Sequence, residues 1–180
     1  MGKQLSLGNP GLLTQDASVV IYWHQKTGID RLQNGHSALI INTNGFDQDI
    51  VKNNTNRYVS WMAVVGSNPF KPRGVAHDFQ DDMRHWSGSN GRTVPTRWVA
   101  LSGLNIKAMI LEWSRVRAKQ GAHWKLFDKN CATVVHRILA AGGGDTHATR
   151  ATNQIVWWPT DLITYARSMP ANMIVDSSDN

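Results

Sequence analysis

Apolar residues fall into a few compact runs along the chain, and their spacing sets the elements they predict. Ser18–His24 (SVVIYWH) is β-branched and aromatic between polar stretches, the signature of a strand. Gln25–Gly35 carries Gly and Asn and reads as a turn or short connection. His36–Asn42 is a second strand and Tyr58–Val65 (YVSWMAVV) a third; polar connections predict that the three pair as an antiparallel meander. Arg97–Leu101 makes a short fourth. The period then lengthens. Ile106, Met109, Ile110, Trp113 and Val116 share one face of a helix over Asn105–Lys119 that Gly121 ends. A second helix follows Trp124-Lys125-Leu126-Phe127, capped by Asn130 or Asp128. Its apolar stripe is Cys131, Val134, Val135, Ile138 and Leu139, and Gly142-Gly143-Gly144 stops it. A last helix starts near Pro159, with Asp161 in its first turn and Leu162, Ile163 and Ala166 facing inward. Met173–Val175 adds an edge strand.

The pattern is that of an α+β domain, a small antiparallel sheet packed against helices, over residues 18–180, preceded by a polar arm at 1–17. Gly66–Thr96 is rich in Gly, Pro, Asp and Ser, and reads as one long loop, a lid or binding segment. Within it His77, Asp78, Asp81, Asp82 and His85 match no defined ligand spacing, so they read as polar surface, and no metal or other cofactor is expected. A chain of 180 residues with 41% hydrophobic residues and eight Trp can bury a real core, which excludes a disordered protein. Trp61, Trp86, Trp98 and Trp124 either line a cleft or fill that core; Trp113, on the helix stripe, belongs to the core.

Charge narrows the partners. The net charge of +6 and pI near 9.8 suit an anionic partner, such as a membrane surface or a wall polymer. Lys and Arg are scattered and no nucleic-acid motif is present, so no nucleic-acid partner is expected, while peripheral membrane contact stays open. The first residues lack the apolar core of a signal peptide, which predicts either export without a cleaved signal or a cytoplasmic protein.

The candidate chemistry begins at Cys131, the single cysteine, at the head of a predicted helix. The positive end of the helix dipole favours the thiolate there. A cysteine nucleophile needs an imidazole, and His36, opening the second strand in Gly35-His36-Ser37-Ala38-Leu39-Ile40-Ile41, is the candidate. The rival reading makes Cys131 a small core residue of its stripe. His136, five residues further along the same helix, points away from the thiol and is expected in solvent.

These pieces together resemble the circularly permuted papain-like domains, relatives of the NlpC-type peptidases and the lecithin:retinol acyltransferase-like enzymes. The resemblance rests on Gly35-His36-Ser37-Ala38-Leu39-Ile40, Tyr58-Val59-Ser60-Trp61, Trp124-Lys125-Leu126, Asn130-Cys131-Ala132-Thr133-Val134-Val135 and Trp158-Pro159-Thr160. In the permuted order the His strand precedes the Cys helix, as it does here. The resemblance implies a Cys131 nucleophile and a His36 base. The third group is expected on the strand after the His, Ser60 first and Tyr58 second. Tyr22 or His24, on the first strand, would lie near the thiol and the oxyanion; with Tyr58 and Trp61 they are the expected substrate contacts. The implied activity is a cysteine-dependent hydrolase, an amidase, protease or deamidase acting on a protein or peptide. The alternatives are a lipid acyltransferase or phospholipase of the same fold, or a non-catalytic scaffold that binds a host or immunity protein. Such domains occur in bacterial effectors and toxins, including type VI secretion cargo, which would be delivered without a cleaved signal.

Overall fold

The computed structural model describes residues 18–23, 35–41, 56–64, 72–86, 97–119, 124–125, 129–149 and 156–179. Its strands are β1 (Ser18–Trp23), β2 (His36–Ile40), β3 (Tyr58–Val59), β4 (Trp61–Ala63), β5 (Gly74–Ala76), β6 (Arg97–Leu101) and β7 (Ile174–Asp179). Its helices are α1 (Phe79–Trp86), α2 (Ile106–Arg117), α3 (Cys131–Ala141), α4 (Gly144–His147) and α5 (Pro159–Arg167). Among the described residues no helix is long and apolar enough to cross a membrane.

The protein is α+β. Five antiparallel strands make the main sheet in the order β3-β2-β1-β6-β7, and β4 pairs with β5 in a second, two-stranded sheet. β1 lies at the centre of the main sheet. It pairs with β2 from Val19↔Ile40 to Trp23↔His36, and with β6 from Ser18↔Leu101 to Tyr22↔Arg97. Successive side chains point to opposite faces. Val20, Tyr22, Leu39, Val99 and Leu101 face the larger core, with Met109 and Trp113 of α2, Val135 and Ile138 of α3, and Leu162 and Ile163 of α5. Val19, Ile21, Trp23, Ala38, Ile40 and Trp98 face a smaller core closed by Tyr58 and by Phe79 of α1. Burial on both faces explains why β1 after Ser18, and β2 after Ser37, read as unbroken apolar runs.

The helix ends follow their caps. Asn105 accepts the Ala108 N–H at 3.1 Å to start α2, and the Trp158 N–H donates to Asp161 Oδ2 at 3.0 Å to start α5 behind Pro159. Gly142 caps α3, and Gly143 takes φ +92°, a left-handed geometry that suits glycine, before the single turn of α4.

Two expectations are corrected. The third strand is divided at Ser60: β3 pairs with β2 through Leu39↔Val59 and Ile40↔Tyr58, whereas β4 leaves that sheet and pairs Trp61 with Ala76. Gly74 permits the crossing, because a Cβ there would lie 2.2 Å from the Trp61 ring. The stretch read as one long loop contains β5 and α1 among its described residues. α1 opens on a reciprocal cap, with Asp78 Oδ1 accepting the Asp81 N–H at 2.7 Å and Asp81 Oδ2 accepting the Asp78 N–H at 3.2 Å.

Candidate active site

Gly35 fixes where β2 begins. Its φ is +64°, and a Cβ would lie 2.4 Å from the Trp23 carbonyl oxygen and 2.6 Å from the Tyr22 ring. Only glycine lets the chain enter so close under β1. The next residue, His36, is therefore set opposite Trp23, with its side chain on the α1 face of the sheet. There Nε2 lies 3.0 Å from Asp82 Oδ2 and 3.0 Å from Ser60 Oγ. The Tyr58 hydroxyl donates to the same Asp82 oxygen at 2.7 Å. Trp86, one helical turn beyond Asp82, lies parallel to the His36 ring at a centroid distance of 5.5 Å. One face of α1 thus supplies both the carboxylate and an aromatic wall, as i and i+4 neighbours.

Cys131 is the first residue of α3 and 7% exposed. Asn130 caps the helix, its Oδ1 accepting the Thr133 N–H at 2.8 Å, and its Nδ2 donates to the Trp157 carbonyl at 3.0 Å. The cap is held both by its own helix and by the segment leading into α5. The departure of the chain at Ser60 makes room for the thiol. The Ile41 N–H donates to Arg57 across the β3 edge of β2 at 2.8 Å, so by strand alternation the Ser37 N–H faces that same edge. In the register of β3 the place opposite Ser37 belongs to Trp61, which pairs with Ala76 instead. Cys131 lies at that free edge, beside Ser37.

Burial pushes the Cys131 thiol up, but His36 and then Ser37 outweigh it and hold the thiol below its ordinary value. Burial also opposes charge on His36. The Asp82 carboxylate, followed by Cys131, reverses this and raises the imidazole to about 10. Burial works against the Asp82 charge too, and His36, His77 and Tyr58 overcome it, holding the carboxyl well below its usual range. The three groups together favour a thiolate and an imidazolium backed by a carboxylate. Nε2 is engaged by Ser60 and Asp82, whereas Nδ1 has no hydrogen-bond partner among the described residues and is the ring nitrogen left to exchange a proton.

The residues singled out from sequence fall in different places. His36, Cys131 and Ser60 are brought together. Tyr58 is buried and engaged with Asp82. Tyr22 is on the α3 side of β1, beside Ser37 in the register and against Gly35. Trp61 is 1% exposed and belongs to the larger core, over Gly74. His24 lies outside the described residues. The missed residue is Asp82. Its sequence setting predicts polar surface, yet it is fully buried beside His36, which corrects that expectation. The signal for it was the Asp78–Asp81 capping pattern followed by Phe79, Met83 and Trp86 at helical spacing, which puts a helix under the second face of the sheet. His136 is also corrected. It is largely buried, stacked on Trp157 at 3.9 Å, and its Nε2 lies 3.0 Å from Asp145 Oδ1. The Tyr165 hydroxyl donates to the same oxygen at 2.8 Å, so the cluster ties α3, α4 and α5 together. Among the described residues no group of three or more His, Cys, Asp or Glu is arranged to hold a metal.

Residues 75–177, more than half of the chain, match the family model of the IcsB middle domain. The chain belongs to that family. The match includes Asp82 and Cys131 and begins after His36. Two bacterial toxins are also similar. The multifunctional-autoprocessing repeats-in-toxin protein of Vibrio vulnificus is 35% identical over 74 residues, which cover 39% of this chain and 1% of the toxin. Its namesake in Vibrio cholerae serotype O1 is 34% identical over 73 residues, 39% of this chain and 2% of the toxin. The chain therefore spans a very small part of these relatives. No solved structure matches it.

Proposed function

We propose that this domain is a cysteine-dependent hydrolase of a bacterial toxin or effector, acting on an amide of a protein or peptide in a target cell. The observation that carries the reading is the convergence of Cys131, His36 and Asp82 from α3, β2 and α1. The order of a His strand before a Cys helix, together with an antiparallel sheet against that helix, supports a permuted papain-like arrangement. His36 accepts the thiol proton at Nδ1. The thiolate attacks the substrate carbonyl carbon and its π electrons move to oxygen. The N–H of Cys131, in the first turn and without an intrahelical acceptor, contributes a donor to that oxyanion. When the carbonyl re-forms, the C–N bond breaks and the His36 proton goes to the departing amine. Water, deprotonated by His36, then cleaves the thioester and restores the thiol.

A second reading shares the acyl-enzyme and replaces water with an amine or hydroxyl acceptor, making the domain an acyltransferase. Burial favours it: the thiol is 7% exposed and His36 is wholly buried under Trp86, a setting that limits water. Both readings are tested by the pH dependence of Cys131 alkylation by iodoacetamide in wild type and in His36→Ala. The expected result is an apparent thiol pKa below the free value of about 8.5, rising when His36 is removed. A thiol that reacts only on unfolding overturns both and leaves a non-catalytic scaffold. Mass spectrometry after incubation with activated esters, with and without added amines, then separates hydrolysis from acyl transfer.

A further inference from the structure

Asp82 has two oxygens, and only one is used by the groups described so far. Oδ2 takes His36 and the Tyr58 hydroxyl. Among the described residues Oδ1 is buried with no hydrogen bond, and His77 Nδ1, itself without another partner there, lies 3.4 Å from it. A buried carboxylate oxygen can only accept, so the nitrogen facing it is the one that carries hydrogen. His77 is held there by the backbone. It follows β5 directly, and its N–H donates to the Ser60 carbonyl at 3.2 Å. The hairpin of β4 and β5 therefore delivers two side chains to the site at once: Ser60 to His36 Nε2, and His77 to the far oxygen of Asp82. His77 is 22% exposed, whereas Asp82 is not exposed at all.

We propose that His77 is a positioning residue, which anchors Asp82 Oδ1 and thereby fixes the rotation of the carboxylate that keeps Oδ2 on His36. A carboxylate held at one oxygen can swing about its Cβ–Cγ bond; one held at both cannot. Among the described residues, the charged and titratable groups around His77 are Asp82 from α1, with His36 of β2 and Tyr58 of β3 beyond that carboxylate, while adjacent Asp78 is occupied in capping α1. The proposal rests on the Cys131–His36–Asp82 reading above.

The test is the pH profile of Cys131 alkylation in His77→Ala and His77→Asn, with a thermal melt of each. The alanine variant is expected to raise the apparent thiol pKa and to slow alkylation at pH 7 by about three- to tenfold. The asparagine variant, which keeps a side-chain N–H near the position of Nδ1, is expected to restore the wild-type profile. Should the alanine variant melt below the assay temperature, His77→Leu, of fuller volume and with no donor, is read in its place. A wild-type profile in the donorless variant overturns the proposal, and so does an asparagine variant shifted as far as the donorless one. If the wild-type thiol responds to His36→Ala but not to loss of His77, this inference alone fails. A wild-type thiol that does not react in the folded protein takes the underlying reading down with it.

Discussion

A carboxylate with no exposure is tolerated only because its partners return what desolvation takes away, and Asp82 has His36, Tyr58 and His77 to do so. Asp82→Asn keeps the shape of the side chain and removes its charge. His36 then loses the interaction that favours the imidazolium, and Cys131 loses the stabilisation that the imidazolium provides. The expected outcome is a raised apparent thiol pKa in alkylation and an acyl-enzyme formation rate lower by about 10²- to 10⁴-fold, measured with an activated ester. Cys131 and His36 were legible in the sequence because each stands at a marked place, a helix head and the residue after a glycine. Asp82 was not. Asp81 and Asp82 are equivalent as letters, yet Asp81 is 40% exposed and pairs with Arg84 while Asp82 is wholly buried. Which of the two turns inward depends on how α1 lies across the sheet, and that is settled by contacts distant in sequence.

The start of α3 is the element on which the thiol depends. Asn130 satisfies its own helix with one side-chain atom and the Trp157 carbonyl with the other. Asn130→Ala removes both bonds. It is expected to cost about 1–2 kcal/mol and to lower the melting temperature by about 2–8 °C, read by circular dichroism. Asn130→Asp keeps the capping acceptor, loses the donor, and should fall between the two. This helix was legible because a cap, a stripe and a stop agreed with one another, and α2 and α5 because an apolar stripe agreed with a stop in one and a start signal in the other. The division of the third strand was not. YVSWMAVV has no Gly or Pro at Ser60, and the chain turns there because β5 outcompetes β2 for Trp61, a choice between two partners that local pattern does not record.

For the whole molecule the buried pair sets a pH window of stability. His36 is raised in the folded protein, so its contribution is complete below the ordinary imidazole value of 6.5 and is lost as pH rises through about 10. Asp82 is lowered, so its contribution is complete above the ordinary carboxyl value of 3.8 and is lost as pH falls through its folded value. Cys131 is also lowered and acts in the opposite sense to His36, adding stability as pH climbs toward 9.0. Denaturant unfolding of Cys131→Ala from pH 3 to pH 10.5 isolates the pair. A broad maximum with a decline at each end is expected, and Asp82→Asn should flatten both declines. The α+β class and the sheet-against-helix arrangement were readable at this scale because the central strands carry contiguous apolar residues and the helices are striped. The second face of the sheet was not readable, because among the described residues the helix lying on it is α1, whose eight residues are mostly polar. The early exit of β3 from the sheet has a consequence of its own. A continued ladder and the Cys131 sulfur compete for one place beside the Ser37 amide. Any sequence change that zipped β3 two residues further along β2 would make a more regular sheet and a duller thiol. The ragged edge is therefore a feature that selection for stability alone would erase.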